Sequence, residues 1–503
     1  VEMNVIRDFA RRVLLSEETF QEDGNTFVNM FSGEWSGTSK LNKYDLSSMY
    51  FNYAGSIYSQ NFPIIDIVMN TMLKQEESTQ GRHFFRMFNG MGDDQRAASY
   101  LNGKSFEQAV LDNTLSTEVF YEMMKLKGVY LRNYINSRLS SNEFKEFMAE
   151  FMKKYQFQEV NFTRLNSEFT RKFHFNLMDF IPNWYTINST PRFIVKGVDA
   201  DQVEIGDYTK YIVKFQVYNP TNVEGVISVN VEEGGGMFPG GPRGRRGRAA
   251  QMEAKPAKNY IIEPQKYKEI RILCDERPSN LTINTNISQN LPSTIMQNFA
   301  KVTTTTTDTV TGIFDSNATL FTFNPKEITV DNEDPGFRII ESNQKNKLQS
   351  FFKKESEDKY KNLNFWMPPS KWTATIGVNY YGDYINSAVY KKSGSGSNKT
   401  EWTTQIQIPG FYEVFVYTSE LPMMGWRRRG SEEKKMQYYT VKHDDGEEEI
   451  SVETGRGRQG WMTLGSFYFS AGEAKITLSD KGSESNQIIF ADAVKWVYTN
   501  NNK

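Results

Sequence analysis

"WMTLGSFYFSAGEAKITLSD", Trp461 to Asp480, reads as two β-strands separated by a turn. Apolar and polar residues alternate in each half, the period of a strand with one buried face, and Ser470, Ala471 and Gly472 are the small residues a tight reversal needs. The surrounding runs have the same character: "GFYEVFVYTS" at Gly410 to Ser419, "QYYTVKHDDGEEEISVE" at Gln437 to Glu453, and "IIFADAVKWVYT" at Ile488 to Thr499. Asp444, Asp445 and Gly446 mark a second turn. Residues 328–500 therefore read as an antiparallel β-sandwich, jelly-roll-like in type.

Towards the N-terminus lies a polar stretch, with threonine at every position from Thr303 to Thr307, and 296–327 reads as a linker. Before it, "KYIVKFQVYN", "GVISVNVEE" and "YKEIRILCD" alternate again, which predicts a small β-sandwich over 186–295. It is interrupted by "GGGMFPGGPRGRRGRAAQMEAKPAKN", Gly234 to Asn259. Glycine at this density loses much backbone entropy on ordering, so 234–259 reads as a mobile hairpin loop. Upstream of Trp184 the spacing changes to threes and fours, as in Ile64, Ile67, Val68 and Met72, or Phe144, Phe147, Met148 and Phe151. "SSNEFKEFMAEFMKKY" carries a helix start at Ser140 or Ser141, Glu143 in the first turn, and Lys153 and Lys154 in the last. The expected fold is multidomain α+β: a helical domain over 1–185, then two antiparallel β-sandwiches.

Composition agrees. At about 150 residues per domain, 503 residues should hold about three domains. The 59 Lys and Arg nearly balance 61 Asp and Glu, leaving a net charge of -2, so the field of a dedicated nucleic-acid binder is lacking. Cys274 is the one cysteine, which excludes an intrachain disulfide framework and a cysteine-based zinc ribbon. No apolar run approaches the ~18 residues of a membrane helix. Val1 stands where Met would begin a chain, so the sequence reads as a fragment or processed product whose membrane tether would lie outside it.

Hydrolytic chemistry finds little support. A zinc peptidase needs two histidines one helical turn apart with a glutamate beside the first. His83, His174 and His443 have no such spacing, and HExxH does not occur. Cys274 sits in an alternating strand as a small hydrophobe, and neither a G-x-S-x-G elbow nor a Walker loop is present. The expectation is no catalytic residue, no resident metal and no cofactor.

Binding chemistry has more candidates. Arg243, Arg245, Arg246 and Arg248 in the glycine loop read as a solvated loop or a polyanion or partner contact. Trp426 followed by Arg427, Arg428 and Arg429 is a better contact candidate. Sugar-binding modules stack the apolar face of a pyranose on aromatic rings. Tyr380, Tyr381 and Tyr384 in "NYYGDY", together with Trp366, are the exposed aromatic candidates, whereas Trp461 and Trp496 read as core. "DNEDPGF", Asp331 to Phe337, offers Asp331, Glu333 and Asp334 as calcium ligands, or a turn on Pro335 and Gly336; the turn is the favoured reading.

Several of these runs, taken in order, resemble the golvesin or xanthan-lyase C-terminal domain: "VDNEDPGF", "GFYEVFVYTS", "YTVKHDDGEEEISVE", "GWMTLGSFYFSAGEAKITLSD" and "ADAVKWV". The resemblance implies a non-catalytic, extracytoplasmic, carbohydrate-binding-like module. Lys127 to Trp184 looks like the Lys-Gly helix, Phe-rich helix and closing tryptophan that follow the zinc site of aminopeptidase-N-like metallopeptidases, and the strands after it look like that family's small sandwich. The tyrosine expected two residues before the Lys-Gly pair is Lys125 here, which points to a degenerate, pseudoenzyme-like region. The expected function is thus binding or scaffolding in the bacterial cell envelope or periplasm, with a glycan or an envelope protein as partner. The rival readings are the C-terminal part of an active zinc aminopeptidase whose catalytic residues precede Val1, and the periplasmic part of a membrane transporter assembly.

Overall fold

The computed structural model describes residues 57–62, 65, 68, 92–155, 158, 160–234, 257–299, 302, 304–341, 359–364, 366–419, 435–455, 458–484 and 486–499. A short parallel pair, β1 (Ile57–Tyr58) and β2 (Val160–Asn161), borders the helices α1 (Asp93–Tyr100), α2 (Phe106–Leu111), α3 (Thr117–Asn136), α4 (Ser141–Lys154), α5 (Phe162–Phe173) and α6 (Ile181–Thr186). Ser140 caps α4: its hydroxyl accepts the Glu143 N–H at 3.2 Å, while the Glu143 carboxylate accepts the Ser140 N–H at 2.9 Å. The Phe144, Phe147, Met148 and Phe151 stripe of α4 is buried, as its spacing predicts. Among the described residues, no helix is long and apolar enough to cross a membrane.

The first sandwich sets a five-stranded sheet, in the order β10 (Thr304–Thr306), β3 (Ile194–Ile205), β4 (Tyr208–Tyr218), β7 (Tyr267–Cys274), β11 (Gly312–Asp315), against a four-stranded one, β6 (Lys258–Ile262), β5 (Gly225–Glu233), β8 (Pro278–Asn284), β9 (Thr294–Asn298). Alternation delivers Val213, Phe215 and Val217 of β4 and Ile270, Ile272 and Cys274 of β7 to one core. The stretch read as a linker, 296–327, is instead part of this sandwich. β10 pairs in parallel with β3, and β11 pairs antiparallel with β7, so each extends an edge of the sheet. Threonine is β-branched and suits a half-exposed edge strand, so a polar run need not be a linker. The helical domain leans on this sandwich: Val226 and Ile287 belong to the helical core, and Asn133 donates to Asn286 across the boundary at 2.7 Å.

The second sandwich faces a four-stranded sheet, β12 (Glu327–Val330), β23 (Val494–Thr499), β17 (Gly410–Thr418), β20 (Gly460–Phe469), against a five-stranded one, β13 (Phe337–Ile340), β16 (Lys399–Ile406), β21 (Gly472–Gly482), β18 (Lys435–His443), β19 (Gly446–Thr454). A third sheet, β14 (Thr373–Ile376), β15 (Ser387–Lys392), β22 (Ile488–Ala491), flanks them. Trp402, Trp496, Tyr412 and Tyr439 fill the core, and the Trp402 indole N–H donates to the Asp492 carbonyl at 3.1 Å.

Two buried lysines shape this framework. Lys391 pairs with Asp480 inside the second sandwich, and the same carboxylate accepts the Asn398 amide at 2.9 Å and the Gly396 N–H at 2.7 Å, which ties down the loop between β15 and β16. Asp480→Ala leaves the Lys391 ammonium buried and unpaired, an expected loss of about 3–5 kcal/mol. Adding Lys391→Met to that variant should recover much of the loss, and denaturant unfolding of the three proteins checks this. In the helical domain, Lys127 has no carboxylate partner among the described residues: its ammonium donates to the Trp184 carbonyl at 2.5 Å and lies 5.1 Å from the Trp184 ring and 5.6 Å from that of Phe106. Burial pulls its pKa down from 10.5 to about 7. The unfolded chain then holds more protons between those values, so stability rises with pH across that window. Lys127→Met is expected to flatten the rise while keeping the fold at pH 7. Unfolding midpoints from pH 6 to 10 test it, and an unaltered slope would contradict it.

Candidate binding face

Strand β20 changes which side chains face the core partway along its length. Phe467 and Phe469 point inwards, and strict alternation would carry Trp461 inwards too. Opposite β17, however, Val414 pairs with Gly465 and Phe415 with Thr463, so β20 holds one extra residue there. This β-bulge turns Leu464 to the core and Trp461 and Thr463 to the outer face. Gly465 adopts φ +137°, and a Cβ there would press on the Phe467 ring at 3.0 Å. The expectation that Trp461 is core is therefore corrected, whereas Trp496 is fully buried.

The outer face that results is aromatic. Phe411, Phe415 and Tyr417 alternate outwards along β17, paired with Tyr468, Thr463 and Trp461 of β20. Phe411 and Tyr468 meet edge to face at 5.4 Å, and Tyr417 and Trp461 at 5.3 Å. Lys495 of β23 stands 4.6 Å from the Trp461 ring centre and reaches Glu327 of β12 at 3.4 Å. Six residues of strand at about 3.4 Å each make this row about 20 Å long.

At one end Tyr381 completes the cluster, 5.1 Å from Trp461 and 5.7 Å from Tyr417. Its backbone N–H is shared between both oxygens of Asp492, at 3.3 and 3.2 Å, and the Ser419 hydroxyl donates to the same carboxylate at 3.3 Å. Burial, with Asp331 nearby, holds the Asp492 carboxyl well above its ordinary pKa. Burial likewise raises Asp331 to about 8, helped by the negative charges of Asp334, Glu333 and Asp383.

The other candidates fall in several places. Tyr380 is corrected to core: it is 7% exposed in a small cluster with Leu363, Tyr390 and Phe490. Tyr384 lies under the Arg192 guanidinium of the first sandwich, 4.0 Å from ring centre to Cζ, and serves the joint between the sandwiches. Trp366 is 72% exposed, on a segment anchored to β15 through the Asn364 and Lys392 N–H groups and away from the Tyr381 cluster. Asp331 to Phe337 forms a turn: Asp334 accepts the Asp331 N–H at 2.8 Å, and the Phe337 N–H closes back on the Asp334 carbonyl at 3.0 Å. Glu333 is occupied by Lys359 at 2.5 Å, Tyr360 at 3.1 Å and Ser387 at 2.7 Å. Among the described residues no three His, Cys, Asp or Glu side chains converge to hold a metal ion, so the structure does not assemble Asp331, Glu333 and Asp334 into a calcium site. Lys125 pairs with Glu122 at 2.6 Å. Trp426, Arg427, Arg428 and Arg429, and Arg243, Arg245, Arg246 and Arg248, lie outside the described residues. Sequence reasoning missed Phe415, Tyr417 and Trp461; the glycine inside "TLGSF" was the available signal.

Residues 362–498 match the model of the Golvesin C-terminal domain, a span that takes in every expected motif except "VDNEDPGF". No curated protein matches the sequence. Among solved structures, Paenibacillus xanthan lyase is similar over 61% of this chain and 26% of its own, at 14% identity and a TM-score of 0.25. An exo-β-1,3-galactanase from Phanerochaete chrysosporium, solved with β-1,3-galactotriose, is similar over 26% of this chain and 27% of its own, at 15% identity and a TM-score of 0.17. A two-domain protein of unknown function from Bacteroides fragilis is similar over 61% of this chain and 94% of its own, at 10% identity and a TM-score of 0.15. The aligned part thus spans about a quarter of the lyase and of the galactanase. The family match does not extend to Lys127 to Trp184, and the metallopeptidase resemblance read there is not shown. Within the second sandwich, residues 362–498 are thus similar to the Golvesin C-terminal domain.

Proposed function

We propose that the second sandwich is a non-catalytic module that binds a glycan outside the bacterial cytoplasm, with the helical domain and first sandwich as its mount. The observation that carries this reading is the aromatic row on the outer sheet face, from Phe411 and Tyr468 to Tyr417, Trp461 and Tyr381. The C–H face of a pyranose stacks on such rings, while Glu413, Thr463 and Lys495 stand among them to meet hydroxyl groups. A row about 20 Å long suits a stretch within a polymer better than a single sugar or chain end. The Golvesin match supports the same reading.

The test is calorimetric titration of the full chain with xanthan, β-1,3-galactan, a neutral β-glucan and peptidoglycan fragments. At least one polymer is expected to bind. Trp461→Ala should weaken it about tenfold, roughly 1.4 kcal/mol, without lowering the unfolding temperature. Absence of binding across the panel with capture of an envelope protein through the same face would favour the scaffold reading. Release of reducing ends or of peptide amides by the purified chain would overturn a non-catalytic role.

A further inference from the structure

The loop that carries Tyr381 is held from two sides, and the two holds differ. On its own sandwich, the Asn379 carbonyl accepts the Ser419 hydroxyl at 3.2 Å and the Gln459 amide at 3.5 Å, and the Tyr381 N–H is split between the Asp492 oxygens at 3.3 and 3.2 Å. These are long bonds, since a well-made N–H to oxygen bond is about 2.9–3.0 Å. The chain then doubles back at Gly382, φ +154°, where a Cβ would collide with the Ile385 carbonyl.

The first sandwich grips the loop just beyond that reversal with two short backbone bonds, beside the 2.9 Å bond that the Asn386 amide makes to the Tyr380 carbonyl within the loop itself. Leu291 donates its N–H to the Tyr384 carbonyl at 2.9 Å and accepts the Asn386 N–H at 2.7 Å, a short parallel bridge between the sandwiches. Arg192 lies over the Tyr384 ring at 4.0 Å, its Nε and Nη2 fixed on Gln289 Oε1 at 3.1 and 2.8 Å. Lys196 reaches Asp383 at 3.5 Å. Tyr381 therefore sits three residues from the hold on Tyr384 in the first sandwich, with its own ring against that of Trp461.

We propose that docking of the first sandwich onto loop 379–386 sets the position of Tyr381 on the aromatic face, so that Arg192, Lys196 and Leu291 are positioning residues for a site that lies in the other sandwich. The ligand arm of this inference rests on the glycan-binding reading; the positional arm does not.

The experiment uses the full chain with Lys196→Ala, Arg192→Lys, and the Arg192→Ala/Lys196→Ala pair. Hydrogen exchange over 377–386 and hydroxyl-radical footprinting of Tyr381 and Trp461 are read in each. The pair should speed exchange in the loop about tenfold and raise labelling of both rings, with β18 and β19 unchanged as internal controls. Arg192→Lys keeps a cation over Tyr384 and should restore part of the protection. Where a glycan binds the parent, its affinity should fall several-fold in the pair. Unchanged exchange and labelling in a folded pair overturns the inference, as does a freed loop with glycan affinity intact. Should the pair not fold, Lys196→Ala and Arg192→Lys carry the same readouts. If no glycan binds the parent, the proposed function fails, while exchange and footprinting still decide the positioning role.

Discussion

One extra residue in β20 governs what the second sandwich presents to its surroundings. Phe467 and Phe469 must face the core that Trp402 and Trp496 fill. An unbroken strand would then bury Trp461 in that core and turn Leu464 outwards. The bulge at Gly465 breaks the alternation, keeps Leu464 inside and places Trp461 outside opposite Tyr417. A glycine suits this point because the φ is positive and the Phe467 ring lies close. The aromatic face is therefore a product of backbone geometry, made from side chains whose types alone would suggest a core.

Asp492 connects this face to the interior. Its carbonyl receives the Trp402 indole N–H, which fixes the β22 to β23 crossover against the core, while its carboxyl group receives Tyr381 and Ser419 from the loops above. Asp331 lies close enough to raise its pKa, and a pair of buried carboxyls without a counter-ion is costly when both ionise. The raised pKa of each disfavours ionising both at once.

Much of the architecture was legible in the sequence, because strand alternation and helical spacing each report a buried face directly. The α4 cap at Ser140, the core strands β4, β7, β17 and β21, and the turn at Asp331 to Phe337 all follow from local patterns. What was not legible depended on partners distant in the chain. β10 and β11 look like a linker until β3 and β7 are there to pair with them. In "NYYGDY", four aromatic or acidic neighbours take three duties: Tyr380 in a core, Tyr381 on the face, Asp383 and Tyr384 at the joint. No periodicity distinguishes them, since a loop has none. Only the reversal at Gly382 separates the pair that faces one sandwich from the pair that faces the other.

The joint also bears on how a polymer on the face would be held relative to the rest of the chain. Val226 and Ile287 of the first sandwich are buried in the helical core, so separating those two domains would expose apolar surface that is costly in water. Leu291, four residues beyond Ile287, makes the bridge to Tyr384 and Asn386. The same short segment thus contacts the helical domain at one end and the second sandwich at the other. A flexible linker would let a binding module sample many orientations around its mount. Here a backbone bridge, an Arg–Tyr stack and an ion pair join the two sandwiches instead, and each opposes a different relative displacement. The cost of that restriction is paid on folding, and a bound polymer would meet a surface already oriented.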